Sequence, residues 1–151
     1  MKLMLKFITV LVALHAYSPA IAADCGDVVH AMNQRLPAKI DESELREILT
    51  ALNASHNGRL PAKFITKREA QQSGWRPGRD LWEVPALQGK SIGGDRFGNR
   101  EGRLPRGDWR EADLGYRGGR RGAKRLVFSR AGQRRVSVDH YQTFIEIPEC
   151  R

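Results

Sequence analysis

Cysteine is scarce in this sequence: the 151 residues hold two, Cys25 and Cys150. No group of His, Cys and Asp stands at metal-ligand spacing, which argues against a metal centre. Neither a Walker nor a Rossmann glycine pattern occurs, which argues against nucleotide-cofactor chemistry. Aromatic residues make up only 7%, and acidic side chains are outnumbered 17 to 26 by lysine and arginine. After the first turns of the chain there is no long apolar run, so nothing downstream approaches the roughly 20 residues needed to cross a bilayer.

What is present begins with "MKLMLKFITVLVALHAYSPAIAADC". Lys2 and Lys6 precede a short apolar run, and Pro19 and small residues follow, the layout of a secretory signal peptide cleaved after Ala22. Cleavage removes two lysines and no acid, so the mature chain keeps a net charge of about +7 from the formal +9. It would act outside the cytoplasm, with no membrane attachment once the signal is gone. There the two cysteines, at opposite ends of the mature chain, have one intramolecular pairing open to them; free or intermolecular thiols are the alternative. The charge excess predicts attraction to a polyanion (RNA, DNA, acidic polysaccharide or an anionic membrane surface), or serves solubility alone.

The pattern along the chain changes midway. Leu45, Ile48, Leu49 and Leu52 recur at helical spacing behind the capping groups Asp41 to Glu44, and Asn57-Gly58 stops the run. Shorter helices are predicted around Val28 to Met32, from Thr66 to Gly74, where Thr66 and Glu69 have capping-box spacing, and for one turn after Asp80. From Gly89 on, glycine and charge rise and the period becomes two. Trp109 to Tyr116, Arg125 to Phe128, Val136 to Val138 and Tyr141 to Ile147 read as strands. Helices followed by hairpin-linked strands predict an α+β fold, with N-terminal helices packed on one face of a C-terminal antiparallel β-sheet. The other face would be free for a ligand, with Glu111 and Asp113 on it and Ala112 and Leu114 toward the core.

Three places carry candidate chemistry. Lys67 lies in a helix first turn, where amide groups already favour an anion; a plain surface lysine is the alternative. "WREADLGYRGGRRGAKRLVF" sets Glu111 on a strand beside a glycine-rich turn bearing Arg117, Arg120, Arg121, Lys124 and Arg125. Arginine forks match phosphate oxygens, so a carboxylate next to them suits acid–base work on a phosphodiester. The competing reading is a solvated basic hairpin with structural ion pairs from Asp113. In "DHYQTF", His140 sits at a predicted strand start, where its imidazole either faces the open side or is structural.

Taken together, "LPAKFITKREAQQSGW", "GKSIGGDRFGNREGRLP", "WREADLGY" and "DHYQTF" resemble the barnase-like family of secreted bacterial guanyl-preferring ribonucleases, within the microbial ribonuclease N1/T1 group. The resemblance runs from about Leu60 to Ile147. It implies a secreted endoribonuclease that cuts single-stranded RNA after guanosine, through a 2′,3′-cyclic phosphate that water then opens, without metal or cofactor. Glu111 matches the family's general base and His140 its general acid, while Lys67, Arg121 and Arg125 match the phosphate-binding cations. The loop of Gly98, Asn99, Arg100 and Glu101 matches the guanine-binding segment, with the Glu101 carboxylate as acceptor, and Tyr141 is expected to stack on a base. The same resemblance suggests a monomer and a small acidic barstar-like inhibitor as a second partner besides RNA. A catalytically inactive basic RNA-binding or surface-binding module on the same scaffold is the alternative. Gly98 stands where barnase has serine, and the link from Pro105 to Trp109 is shorter than in barnase. The expected division is residues 1–22 as signal peptide, 23–45 as an N-terminal extension and 46–151 as the ribonuclease-like domain; Cys25 and Cys150 have no counterpart in barnase.

Overall fold

The computed structural model describes residues 21–151, so the expected signal peptide lies almost entirely outside the described residues. Helix α1 (Cys25–Arg35) starts where the Asp24 carboxylate accepts the amides of Gly26 and Asp27. It ends at Leu36, which adopts an extended conformation ahead of Pro37. The Lys39 ammonium then takes up the carbonyls of Asn33, Gln34 and Leu36. Helix α2 (Glu42–Ala54) is capped by Asp41 and buries the predicted stripe Leu45, Ile48, Leu49 and Leu52. It stops at His56 and Asn57, both with positive φ.

Strand β1 (Phe64–Ile65) and the short helix α3 (Lys67–Gln72) follow; α3 carries the predicted capping box of Thr66 and Glu69. Two 3-10 turns, Leu81–Glu83 and Pro85–Leu87, lead into β2 (Ser91–Phe97). The remaining strands are β3 (Trp109–Asp113), β4 (Arg125–Ser129), β5 (Arg134–Ser137) and β6 (Ile145–Glu146). The sheet runs in sequence order, antiparallel except that β1 pairs with β2 in parallel. This is the expected α+β architecture. Two strands were not legible as strands: β1 is two residues long, too short for a period, and β2 lies in the glycine-rich stretch after Gly89.

One face of the sheet packs against α1 and α2. Val29, Met32 and Leu36 of the α1 region join Leu45, Ile48 and Leu49 with Leu126, Phe128 and Val136 in a single core. The boundary expected between residues 45 and 46 therefore falls inside α2, and the segment before it fills the same core as the sheet. Cys25 and Cys150 are disulfide-bonded across 125 residues, with Cα atoms 4.8 Å apart. The clasp continues in a parallel bridge between Ala23 and Cys150, and the Asn53 side chain donates to the Cys150 carbonyl at 3.0 Å.

Strand parity then sorts the other face. Register places Asp95, Glu111, Val127 and Arg135 in one row across β2 to β5, with Asp113, Arg125 and Ser137 in the next. The alternating neighbours Ala112, Leu126 and Val136 lie in the row beneath, on the helix side. Glu111 and Asp113 thus occupy the side away from the helices, as the period of two predicts.

Candidate active site

The site begins with a bulge. The register of β2 against β3 shifts between Gly93 and Asp95, leaving Gly94 as the extra residue with φ +98°. A side chain at Gly93 would meet Phe64 at 2.6 Å, so only glycine fits the approach of β1. The Arg110 guanidinium clamps the bulge by donating to the Gly94 carbonyl at 2.9 Å. Beyond it, Asp95 accepts the backbone amide of Lys67 at 2.9 Å, which ties the start of α3 to the sheet. From there the Lys67 ammonium reaches Glu111 Oε1 at 3.0 Å. The other Glu111 oxygen accepts a hydrogen bond from the Tyr141 hydroxyl. Burial and the adjacent carboxylate push the Tyr141 phenol well above its usual value, so it stays protonated and donates.

Two residues along β3, Asp113 is buried and binds two arginines. Arg121 grips it with Nε at 2.6 Å and Nη2 at 2.7 Å, and Arg125 Nε lies 3.1 Å from Oδ1. The ion pairs of the competing reading therefore exist. They fix the direction of both cations and leave the guanidiniums lining a hollow. The hydrogen bonds that Arg121 donates to Asp113 hold its charge still more firmly than usual. Arg125 also donates to the Tyr141 hydroxyl at 3.0 Å, so the tyrosine joins the carboxylate to the cation pair.

His140 reaches this face by a route the sequence did not suggest. Residues 139–142 form a turn and not the start of a strand, because the Asp139 carboxylate captures the amides of Gln142 and Thr143. The exposed His140 has φ +56° and Tyr141 φ +69°. The His140 amide is tied to the Ala123 carbonyl at 3.1 Å.

Glu111, His140 and Tyr141 line one cleft of about 650 Å³, which Gly98, Asn99, Arg100 and Glu101 also line. Asn99 has φ +44° and closes that loop on itself, donating to the Leu104 carbonyl at 2.7 Å and accepting the Leu104 amide at 3.0 Å. Glu101 pairs with Arg103, which also donates to the Tyr141 carbonyl at 3.1 Å. One face of the Tyr141 ring stacks on Phe97, with centroids 4.9 Å apart. Its link to Glu111 was absent from the sequence reading, which assigned it to base stacking. Among the described residues, no three His, Cys, Asp or Glu side chains converge to hold a metal ion.

The ribonuclease family model matches residues 50–148 of the chain. The chain belongs to that ribonuclease family. It is 50% identical over 93 residues to a ribonuclease of Heyndrickxia coagulans, a match covering 59% of this chain and 84% of that relative. Ribonucleases of Bacillus intermedius and Bacillus pumilus show the same identity over 93 residues, there covering 56% of their length.

Of the ten residues that the sequence assigns to catalysis, phosphate and guanine in this ribonuclease, nine line the cleft or its cation-lined neighbour; Lys67 lines neither and meets the cleft only through Glu111. That second hollow, of about 550 Å³, is lined by Arg79, Arg120, Arg121, Arg125 and His140, and His140 belongs to both. Sequence reasoning missed Asp95, Arg79, Arg103 and Asp139. The glycine pair before Asp95 is a bulge signal, whereas the reach of Arg79 and Arg103 depends on long-range chain paths that no local pattern carries.

Proposed function

We propose that this ribonuclease is an endonuclease that cleaves single-stranded RNA after guanosine in two steps. Glu111 takes the proton of the ribose 2′-hydroxyl as its oxygen bonds to phosphorus. The bond from phosphorus to the 5′-oxygen breaks, and His140 gives that oxygen a proton. In the second step His140 removes a proton from water, the water oxygen attacks phosphorus, the bond from phosphorus to the 2′-oxygen breaks, and Glu111 returns its proton to that oxygen. Lys67, Arg121 and Arg125 stabilise the charge that develops on the phosphoryl oxygens. The need for a 2′-hydroxyl makes RNA, and not DNA, the substrate.

The observation that carries this reading is that the buried carboxylate and the exposed imidazole line one cleft together with the glycine-containing loop. Guanine fits that loop chemically: the Glu101 carboxylate accepts from N1–H and the exocyclic amine, and backbone amides of residues 98–100 face O6. The hollow of Arg79 and Arg120 beyond His140 offers a cationic path for the departing strand. The disulfide suits action outside the reducing cytoplasm, after export by the leader sequence. The protein acts as a monomer, and the cationic cleft suits a small acidic inhibitor protein in the producing cell.

Purified protein incubated with a defined RNA in EDTA tests the reading. Fragments ending in guanosine 2′,3′-cyclic phosphate are expected. RNA bound but left intact would favour the inactive binding module instead.

A further inference from the structure

We infer that Asp139, which lines neither cleft nor hollow, is a positioning residue that aims His140. The inference rests on the proposed acid role of that histidine. Consecutive left-handed conformations at two residues with bulky side chains are unfavourable and persist only when the surroundings over-determine them. His140 and Tyr141 are such a pair, with φ +56° and +69°. Asp139 supplies the constraint. Its Oδ1 accepts the Ser137 hydroxyl at 2.9 Å and the amides of Gln142 and Thr143 at 3.1 and 2.9 Å. Its Oδ2 accepts the Thr143 hydroxyl at 2.6 Å, and Ser137 Oγ in turn accepts the Tyr141 amide at 2.8 Å. This set of donors holds the Asp139 carboxyl well below the usual carboxylate range, so it is ionised wherever the enzyme works.

The two left-handed residues depend on this carboxylate unequally. Tyr141 has anchors of its own, the hydroxyl on Glu111 and the ring on Phe97. His140 is exposed, and among the described residues its one hydrogen bond is the one its backbone amide donates to the Ala123 carbonyl. Loss of the Asp139 carboxylate therefore falls mainly on the imidazole. A misplaced acid slows expulsion of a poor leaving group, the 5′-oxygen of a nucleoside, and matters little for a leaving group that departs without a proton.

The test compares GpU with guanosine 3′-(4-nitrophenyl phosphate), whose phenolate needs no acid, in kinetics run well below each variant's melting temperature. For D139A the kcat on GpU falls about ten- to a hundredfold, as misplacement of a reacting group does, while KM stays within about twofold. The loss on the nitrophenyl ester is at least fivefold smaller, on the order expected when acid assistance is dispensable. D139N, whose side-chain oxygen still accepts the two amides, recovers most of the GpU rate. If D139A does not fold, T143V, which removes the hydroxyl that donates to Asp139 Oδ2, carries the same comparison, with a smaller loss confined to GpU. Equal losses on both substrates, or an unchanged kcat on GpU, overturn the inference alone. A wild-type enzyme that fails to cut GpU overturns the proposed function and the inference with it.

Discussion

The Lys67 ammonium stands 3.0 Å from the Glu111 carboxylate, although 44 residues separate them in the chain. Their meeting depends on the β2 bulge and on Asp95, which pins the first amide of α3 to the sheet. The helix fixes where the cation starts, and the strand fixes where the carboxylate points.

Replacing Glu111 by glutamine keeps the shape of this pair and removes the proposed base. Turnover on RNA is expected to fall by about 10²–10⁴-fold, the usual weight of a general base, with little change in thermal unfolding. A variant within threefold of wild type would contradict the assignment.

Asp113 carries a structural load that Glu111 does not. Its side chain and that of Arg125 are each 4% exposed, so D113N strands two guanidiniums beside a neutral amide. Breaking a buried pair from one side costs about 3–5 kcal/mol. Urea unfolding of D113N should show a loss of that order, and a change below about 0.5 kcal/mol would show that the arginines find other partners.

The disulfide closes most of the described chain into one loop. In the chain-entropy model a loop this long is worth up to about 5 kcal/mol, a large part of the ~5–15 kcal/mol by which domains are stable. The double variant C25S/C150S, and wild type treated with reductant, should both unfold at clearly lower urea concentration than the oxidised protein. Equal midpoints would mean that α1 is held by its core contacts alone.

Acid should release the turn that carries His140. The Asp139 carboxyl is lowered from 3.8 to about 2, so its contribution is fully present above the unfolded value and is lost as pH falls toward 2. The stability gap between wild type and D139N should be constant above about pH 4 and narrow steadily below it. A gap that widens on acidification would reverse the sign and contradict the carboxylate's role.

Much of this was legible before the structure, and for definite reasons. Leu45, Ile48, Leu49 and Leu52 form a stripe because a helix repeats every 3.6 residues, and Thr66 and Glu69 announce a helix start through local hydrogen bonds. Glu111 and Asp113 share a face because strands alternate. What stayed hidden depends on distant partners. Arg134 lies in a strand among core residues, and its guanidinium is buried against Asn57 Oδ1 at 2.6 Å beyond the end of α2; a cation suits that end of a helix. Glu44, read as a capping residue, instead binds Lys63 at 2.8 Å and the Gly115 amide at 2.6 Å, joining α2 to the turn after Glu111's strand. Tyr141 to Ile147 is rich in strand-forming residues, yet the Asp139 carboxylate takes the amides of Gln142 and Thr143 away from the sheet.

The proposed division of labour between Glu111 and His140 is tested most directly by ³¹P NMR of GpU during turnover. With wild type, guanosine 2′,3′-cyclic phosphate should appear first and then give way to the 3′-monophosphate. With H140A, cleavage of GpU should nearly cease, and added cyclic phosphate should remain unopened. Direct formation of the 3′-monophosphate without the cyclic signal, or full activity of H140A in either step, would contradict the account.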